Sequence, residues 1–266
     1  MDRLSIMQRP RGYPVIRQHW DKLLFLHWPI PLRVIRPLVP ASLEIDTWNG
    51  TAWIGLIPFT MWGVRTSFAP PLPGLSAFHE LNVRTYVHRQ DVPGVYFLSL
   101  DASLALAVRA ARRFYHLPYY MAEMSLHETN GEISYHSRRI HKNAPPAEFF
   151  AKWRPGKPLP QAKPDSLAFF LTERYCFFTE HRQRLYRCRI NHRSWSLHEA
   201  RLTAFESTVL QSHKIPSPGT QPVLHHAGEL SVDIWPLTPV EAFSRTKAAL
   251  KRITPEVAPE PGRTPI

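Results

Sequence analysis

The sequence predicts a mainly β protein of the α+β class, and three observations carry that expectation. Residues Phe78–Val87 alternate, with Leu81, Val83, Thr85 and Val87 on one face and Glu80, Asn82 and Arg84 on the other. Asn-Gly pairs at 49–50 and 130–131 stand between apolar runs, the strongest short-range hairpin signal. The chain has 27 prolines, clustered at 29–40, 70–73, 145–164, 216–222 and 236–239, and proline cannot donate to a ladder or a helix interior. The clusters therefore punctuate many short elements rather than a few long ones.

Taken in order, residues 1–19 read as a polar lead-in. Lys22–Ile30 reads as a buried strand, and Leu32–Leu38 as a turn of helix closed by Pro37 and Pro40. Thr51–Phe59 is a strand after the Asn49–Gly50 turn, followed by a proline-rich loop at Pro70–Gly74. Gly94–Leu100 is a continuous apolar run, as in a strand covered on both sides. Ser103–Tyr115 has helical spacing, with Leu104, Val108, Ala111 and Tyr115 on one face, Arg109 and Arg113 on the other, and Asp101 or Ser103 as cap. Tyr120–Leu126 and Gly131–Ile140 form a hairpin, 143–165 a proline-rich loop, and Leu167–Phe178 and Arg184–Ile190 two further strands. Thr238–Ile253 reads as a last helix, capped by Thr238, Pro239 and Glu241. Residues 254–266 hold four prolines and little apolar content and read as a disordered tail. The organisation expected is a lead-in at 1–19, one domain over 20–253, and the tail.

The formal net charge is +12, yet the arginines are scattered and no nucleic-acid motif accompanies them, so specific nucleic-acid binding is not expected. No run of 18 apolar residues suggests a membrane span, and the first twenty residues, with four arginines, lack a secretory pattern, so the expected location is cytoplasmic. Cys176 and Cys188 lie among apolar neighbours and suit buried free thiols. The histidine–glutamate pairs at 79–80, 127–128 and 198–199 lack the second histidine of a zinc-protease motif, and no phosphate loop is present, so neither metal nor cofactor is expected. The expected partner is a small molecule, and self-association stays open.

Charges inside apolar runs carry the most information, because burying an unpaired charge costs several kcal/mol. Glu173 and Arg174 interrupt the run FFLTERYCFF. If that run is a strand, they point to opposite faces, and at least one is buried. A structural ion pair and a charge projecting into a ligand cavity both fit. The Glu80–Asn82–Arg84 face fits either a solvated face or a barrel lumen.

Several motifs in order, from about Trp20 to about Leu237, resemble the YqjF-like family of unknown function, a branch of the acetoacetate decarboxylase-like superfamily. They are LLFLHWPI, IRPLVPASLEIDTWNGTAWIGLIPF, LPGLSAFHELNVRTYV, GVYFLSLDA, ARRFYHLPYYMAEM and FLTERYCFF. The resemblance implies an acetoacetate decarboxylase-like β-barrel or cone of antiparallel strands, enclosing a hydrophobic cavity, with a few helices. It places Glu80 where the decarboxylases have an active-site glutamate. It also places Arg112, and six residues on Pro118, before the positions of the catalytic lysine pair, which here are Tyr119 and Tyr120. The first lysine forms the Schiff base and the second depresses its pKa; a phenol does neither. The implied catalytic set is Glu80, Arg112, Tyr119 and Tyr120, with Arg84, Glu173 and Arg174 as binding residues. An enzyme using acid–base chemistry on a small carbonyl or carboxylate compound, a non-catalytic binding module, and a protein with structural polar residues all fit this set.

Overall fold

Turn chemistry sets the strand order in the computed structural model, which describes residues 1–241 except 73 and 75. β1 (Ile16–Asp21) and β2 (Leu23–Ile30) are separated by Lys22, whose φ of 54° turns the chain. A short helix, α1 (Leu32–Ile35), and the two-residue β3 (Glu44–Ile45) precede Trp48 and Thr51, which bridge across Asn49–Gly50. There follow the long β4 (Ala52–Thr66), β5 (Phe78–Arg89) and β6 (Val92–Ala102), paired antiparallel in sequence. Helix α2 (Ala105–Ala110) continues as a π-helical turn over Ala111–Tyr115 and crosses back to β7 (Tyr119–Thr129). β7 therefore lies parallel to β6. It forms a hairpin with β8 (Glu132–Arg139), where Asn130 and Gly131 take φ of 51° and 72°, the pair of positive values a type I′ turn requires. The rest is β9 (Glu148–Pro158), α3 (Leu167–Thr172), β10 (Cys176–His181), β11 (Arg184–Asn191), β12 (Leu197–Ser207), β13 (Val223–Ala227), β14 (Leu230–Ile234) and β15 (Thr238–Pro239).

The pairings close on themselves twice. One ring runs β1–β14–β11–β10–β6–β5–β4 and back to β1. The other runs β6–β7–β8–β9–β12–β13–β2–β4–β5 and back to β6. The two rings share the wall β4–β5–β6, so both faces of β5 point into an interior. Leu81, Val83 and Val87 join Tyr135, Phe149 and Trp153 in the apolar filling of the second ring. Tyr135, Phe149 and Trp153 are each fully buried, and such a side chain contributes about 1.5–3 kcal/mol of transfer free energy. Glu80, Asn82 and Arg84 point into the first ring and are also buried. The alternation in this strand is that of a lumen, not of a solvated face.

The mainly β expectation with few helices holds, although β6 pairs in parallel with both β7 and β10. Four element assignments need correction. Residues 1–19 are not outside the fold: Ile6 is buried, Arg3 grips Asp46 with two hydrogen bonds of 2.6 and 2.7 Å, and β1 pairs with β14 and β4. The 143–165 stretch contains β9, whose Phe149, Ala151 and Trp153 alternate inward between Pro146 and Pro155. Leu167–Phe178 is not one strand. Its first half is α3, started by Ser166, whose side chain accepts from the Phe169 N–H. A short buried helix that is apolar all round has the same pattern as a buried strand. Thr238–Pro239 pairs with β11 as strand, and the remainder of the Thr238–Ile253 helix, with the 254–266 tail, lies beyond the described residues.

Candidate functional site

The first ring is hollow. It encloses a cavity of about 550 Å³, lined by residues of β1, β4, β5, β6, β10, β11 and β14, by the helix after β6, and by Phe25 of β2, Tyr119 of β7 and Thr172 of α3. The walls are apolar and rich in aromatic rings, among them Trp20, Phe25, Phe59, Phe97, Phe177 and Trp195. Ala107, Ala110 and Ala111 let α2 and its π-helical extension lie close over the ring, and Phe114, exposed and also cavity-lining, marks the rim. Among the described residues no lysine lines this space.

β5 supplies the polar line along one wall. Glu80 accepts a 2.6 Å hydrogen bond from the Tyr119 hydroxyl. Burial pushes the Glu80 carboxyl up to about 8, with the Tyr119 bond opposing and the Asp101 charge adding to the rise. Burial and the Glu80 charge likewise push the Tyr119 phenol well above its ordinary value. At neutral pH the pair is therefore largely a neutral acid and a neutral phenol. The Tyr135 hydroxyl, from the filled ring, fixes the backbone by donating toward the Phe59 and Glu80 carbonyls at 3.1 and 2.9 Å.

Arg84 occupies the other end of the line. Its Nη2 donates to the Leu171 carbonyl at 2.9 Å, near the end of α3, and the guanidinium lies 5.7 Å from the Phe25 ring and 5.8 Å from that of Tyr86. Tyr86 packs beside it, its hydroxyl between the Leu171 carbonyl at 2.8 Å and His27 Nε2 at 2.7 Å. Opposite Arg84 on β4 stands Gly55, where an added Cβ would come within 2.8 Å of the His27 ring. A residue with a side chain would not fit between them. Burial, then the Arg84 charge, keeps His27 neutral.

Of the residues singled out from sequence, the cavity collects Glu80, Arg84, Tyr119 and Arg174. Tyr120 and Arg112 are elsewhere. Successive strand residues point to opposite faces, so Tyr120 turns away from Tyr119 and stacks 4.3 Å under Arg139, which is itself paired with Asp101 at 2.7 Å. Arg112 is exposed, donates to the Tyr119 carbonyl at 2.7 Å, and with Tyr120 lines a separate surface pocket beside His116 and His181. Glu173 and Arg174 lie in the link between α3 and β10, not in a strand, and do not pair with each other. Glu173 accepts from the Trp195 N–H at 2.9 Å and from the Tyr175 hydroxyl and does not reach the cavity wall. Arg174 reaches the wall but is tied to Asp46 at 2.7 Å and to the Phe170 carbonyl at 2.8 Å. Both charges are structural, and Arg174 is also part of the lining.

Three residues escaped the sequence reading. Asp46 lies 128 positions from Arg174, and nothing local distinguishes it from a turn aspartate. Asp101 was read as a helix cap. His192 lines the cavity, stacked 4.4 Å from Tyr175, with its Nδ1 2.7 Å from the Arg193 carbonyl. Burial pushes His192 down to about 4, against the pull of the Arg193 and Arg174 carbonyls, leaving it neutral.

Comparison with known proteins fits this architecture. The DUF2071 family, described as uncharacterized conserved proteins, matches residues 17–231. The chain belongs to that family. Protein YqjF of Bacillus subtilis (strain 168), described as uncharacterized, is 44% identical over 228 residues, covering 86% of this chain and 93% of its own. Among solved structures, the enduracididine biosynthesis enzyme MppR complexed with pyruvate aligns with a TM-score of 0.55 at 10% identity, over 89% of this chain and 95% of its own. An acetoacetate decarboxylase-like enzyme from Sphingomonas wittichii RW1 aligns with a TM-score of 0.55 at 9% identity, over 87% and 95%. Acetoacetate decarboxylase from Legionella pneumophila aligns with a TM-score of 0.56 at 10% identity, over 89% and 93%. At these identities the likeness shows the fold: this DUF2071 chain has the acetoacetate decarboxylase-like fold.

Proposed function

We propose that the hollow ring binds a small carbonyl or carboxylate compound and acts on it by acid–base chemistry, with Glu80 as the proton carrier. The observation that carries this reading is the Glu80–Tyr119 pair: a buried carboxyl, bonded to a phenol at 2.6 Å and not to an arginine, at the wall of an apolar cavity. A carboxyl whose pKa stands at about 8 is close to the operating pH, where proton transfer in either direction is most effective. In an enolisation, the C–H bond next to the carbonyl breaks and its proton passes to the ionised fraction of Glu80, which grows as pH approaches 8. The electron pair forms the C=C bond as the carbonyl π pair moves to oxygen. The hydrogen bond from Tyr119 stabilises the carboxylate before transfer. Return of the proton restores the enzyme. Arg84 supplies the anchor for a substrate carboxylate. The lining without lysine supports this chemistry over an imine route. MppR, of the same fold, was solved with pyruvate, a compound of the proposed class.

Proton exchange tests the proposal. The protein, incubated with a panel of 2-oxo and 3-oxo acids in D₂O, should catalyse loss of the α-proton signal in the NMR spectrum of at least one. Glu80→Gln should abolish that exchange while Tyr119→Phe slows it. Exchange undiminished in Glu80→Gln would refute the assignment. Ligand binding without exchange would leave the cavity as a binding site alone.

A further inference from the structure

Three buried arginines surround the two interiors, and they are not equivalent. Arg139 has Asp101 and Arg174 has Asp46 within ion-pair distance, whereas Arg84 has no carboxylate among the described residues. Arg84 is 9% exposed, its Nε has no partner, and it lines the cavity. A buried cation without a counterion is costly, and an anion in the cavity would offset that cost. Two residues before it, Asn82 is also buried at the cavity wall, and its Oδ1 has no hydrogen-bond partner. Positions two apart on one strand face repeat at about 6–7 Å, so the backbone sites of Glu80, Asn82 and Arg84 span about 13 Å. The wall facing this ladder is apolar and largely aromatic.

A three- or four-carbon keto acid leaves most of a cavity of about 550 Å³ unfilled. We infer that the ligand is an elongated, mostly apolar monocarboxylate of the arylalkyl or medium-chain type, lying along β5 with its carboxylate on Arg84, its middle beside Asn82 and its carbonyl at Glu80. This rests on the reading of the cavity as a binding site and adds the class of ligand and the role of Asn82. A second carboxylate is disfavoured, because the far end of the ladder is the neutral Glu80–Tyr119 pair.

Calorimetric titration of the full chain with four probes tests it: 4-benzoylbutyrate, its primary amide, acetoacetate and pyruvate. The long acid should bind at least tenfold more tightly than its amide and than either small keto acid. Arg84→Met should lower affinity for the acid at least tenfold and leave the amide unchanged. Arg84→Lys, which keeps the charge and loses the fork, should fall between. The comparison of acid with amide on the unaltered protein needs no variant, so a misfolded Arg84→Met does not spoil the test. Equal affinity for acid and amide, or small keto acids binding as tightly as the long acid, would overturn the inference while leaving the cavity a binding site. Binding of none of the four would overturn it together with the reading it rests on.

Discussion

The Tyr119 hydroxyl reaches Glu80 across an intervening strand: Tyr119 lies on β7, Glu80 on β5, and β6 runs between them. Ala102 is the β6 residue paired with Glu80, and its single methyl leaves the phenol a path over the sheet to the carboxyl. The Glu80 carboxyl is thereby held by a group whose own position depends on the β6–β7 parallel pairing rather than on a flexible loop.

Glu80 should leave a signature in stability. The folded chain holds this proton up to pH of about 8, while an unfolded glutamate releases it near 4.5. Between those values the native state binds the extra proton, so this group makes stability fall as pH rises. Urea unfolding at pH 5 and pH 8 should show Glu80→Gln gaining on the parent by a few kcal/mol at the higher pH, on the order expected for a shift of this size. An identical difference at both pH values would mean that Glu80 titrates normally.

The opposed tyrosines allow a test of position. Tyr119→Lys places an amine in the cavity next to Glu80, whereas Tyr120→Lys places one on the other face, beside Arg139. Borohydride reduction with acetoacetate should add no mass to the parent or to Tyr120→Lys, and should trap an adduct at residue 119 in Tyr119→Lys. Trapping at residue 120 instead would reverse the assignment of faces.

Asp46 joins Arg3 and Arg174, so its loss and the loss of Arg174 differ in consequence. Arg174→Met leaves Asp46 with both hydrogen bonds from Arg3. Asp46→Asn strands the buried Arg174, which should cost about 3–5 kcal/mol and exceed the cost of Arg174→Met. Chemical denaturation of both variants decides the order.

Burial pushes His192, His213 and His226 each down to about 4. Unfolded histidines take up protons near 6.5, so the stability of the neutral forms is present above that pH and lost as pH falls from 6.5 towards 4. This trend opposes that of Glu80, and the Glu80→Gln background separates them. In that background Tm should fall steadily from pH 7 to pH 4.5, and His192→Phe should flatten the fall. A level profile would place the histidines in water.

Local pattern carried several strands, both Asn-Gly turns and the alternation of β5, because each is a matter of neighbours in sequence, but it left open whether the polar face of β5 met water or a lumen. It also brought Glu80 and Tyr119 forward, through motif resemblance. It failed where packing decides. Arg112 and Tyr120 follow the motif as closely as Tyr119, yet strand alternation sends Tyr120 to the opposite face, and Arg112 touches only a backbone carbonyl of the site. The partner of Arg174 lies 128 residues away, a pairing that only ring closure creates. α3 hid in an apolar run, and β9 hid behind its prolines although Phe149, Ala151 and Trp153 kept period two.

The shared wall has a consequence for how the lining of this cavity can vary. A strand with an interior on each side has no free face to absorb an insertion. A slip of one residue in β5 would put Leu81 and Val83 into the cavity and drive Glu80, Asn82 and Arg84 into the apolar filling of the other ring. The cavity can therefore change only by exchange of side chains at alternate positions, one at a time, while the intervening residues are kept by the core on the other side.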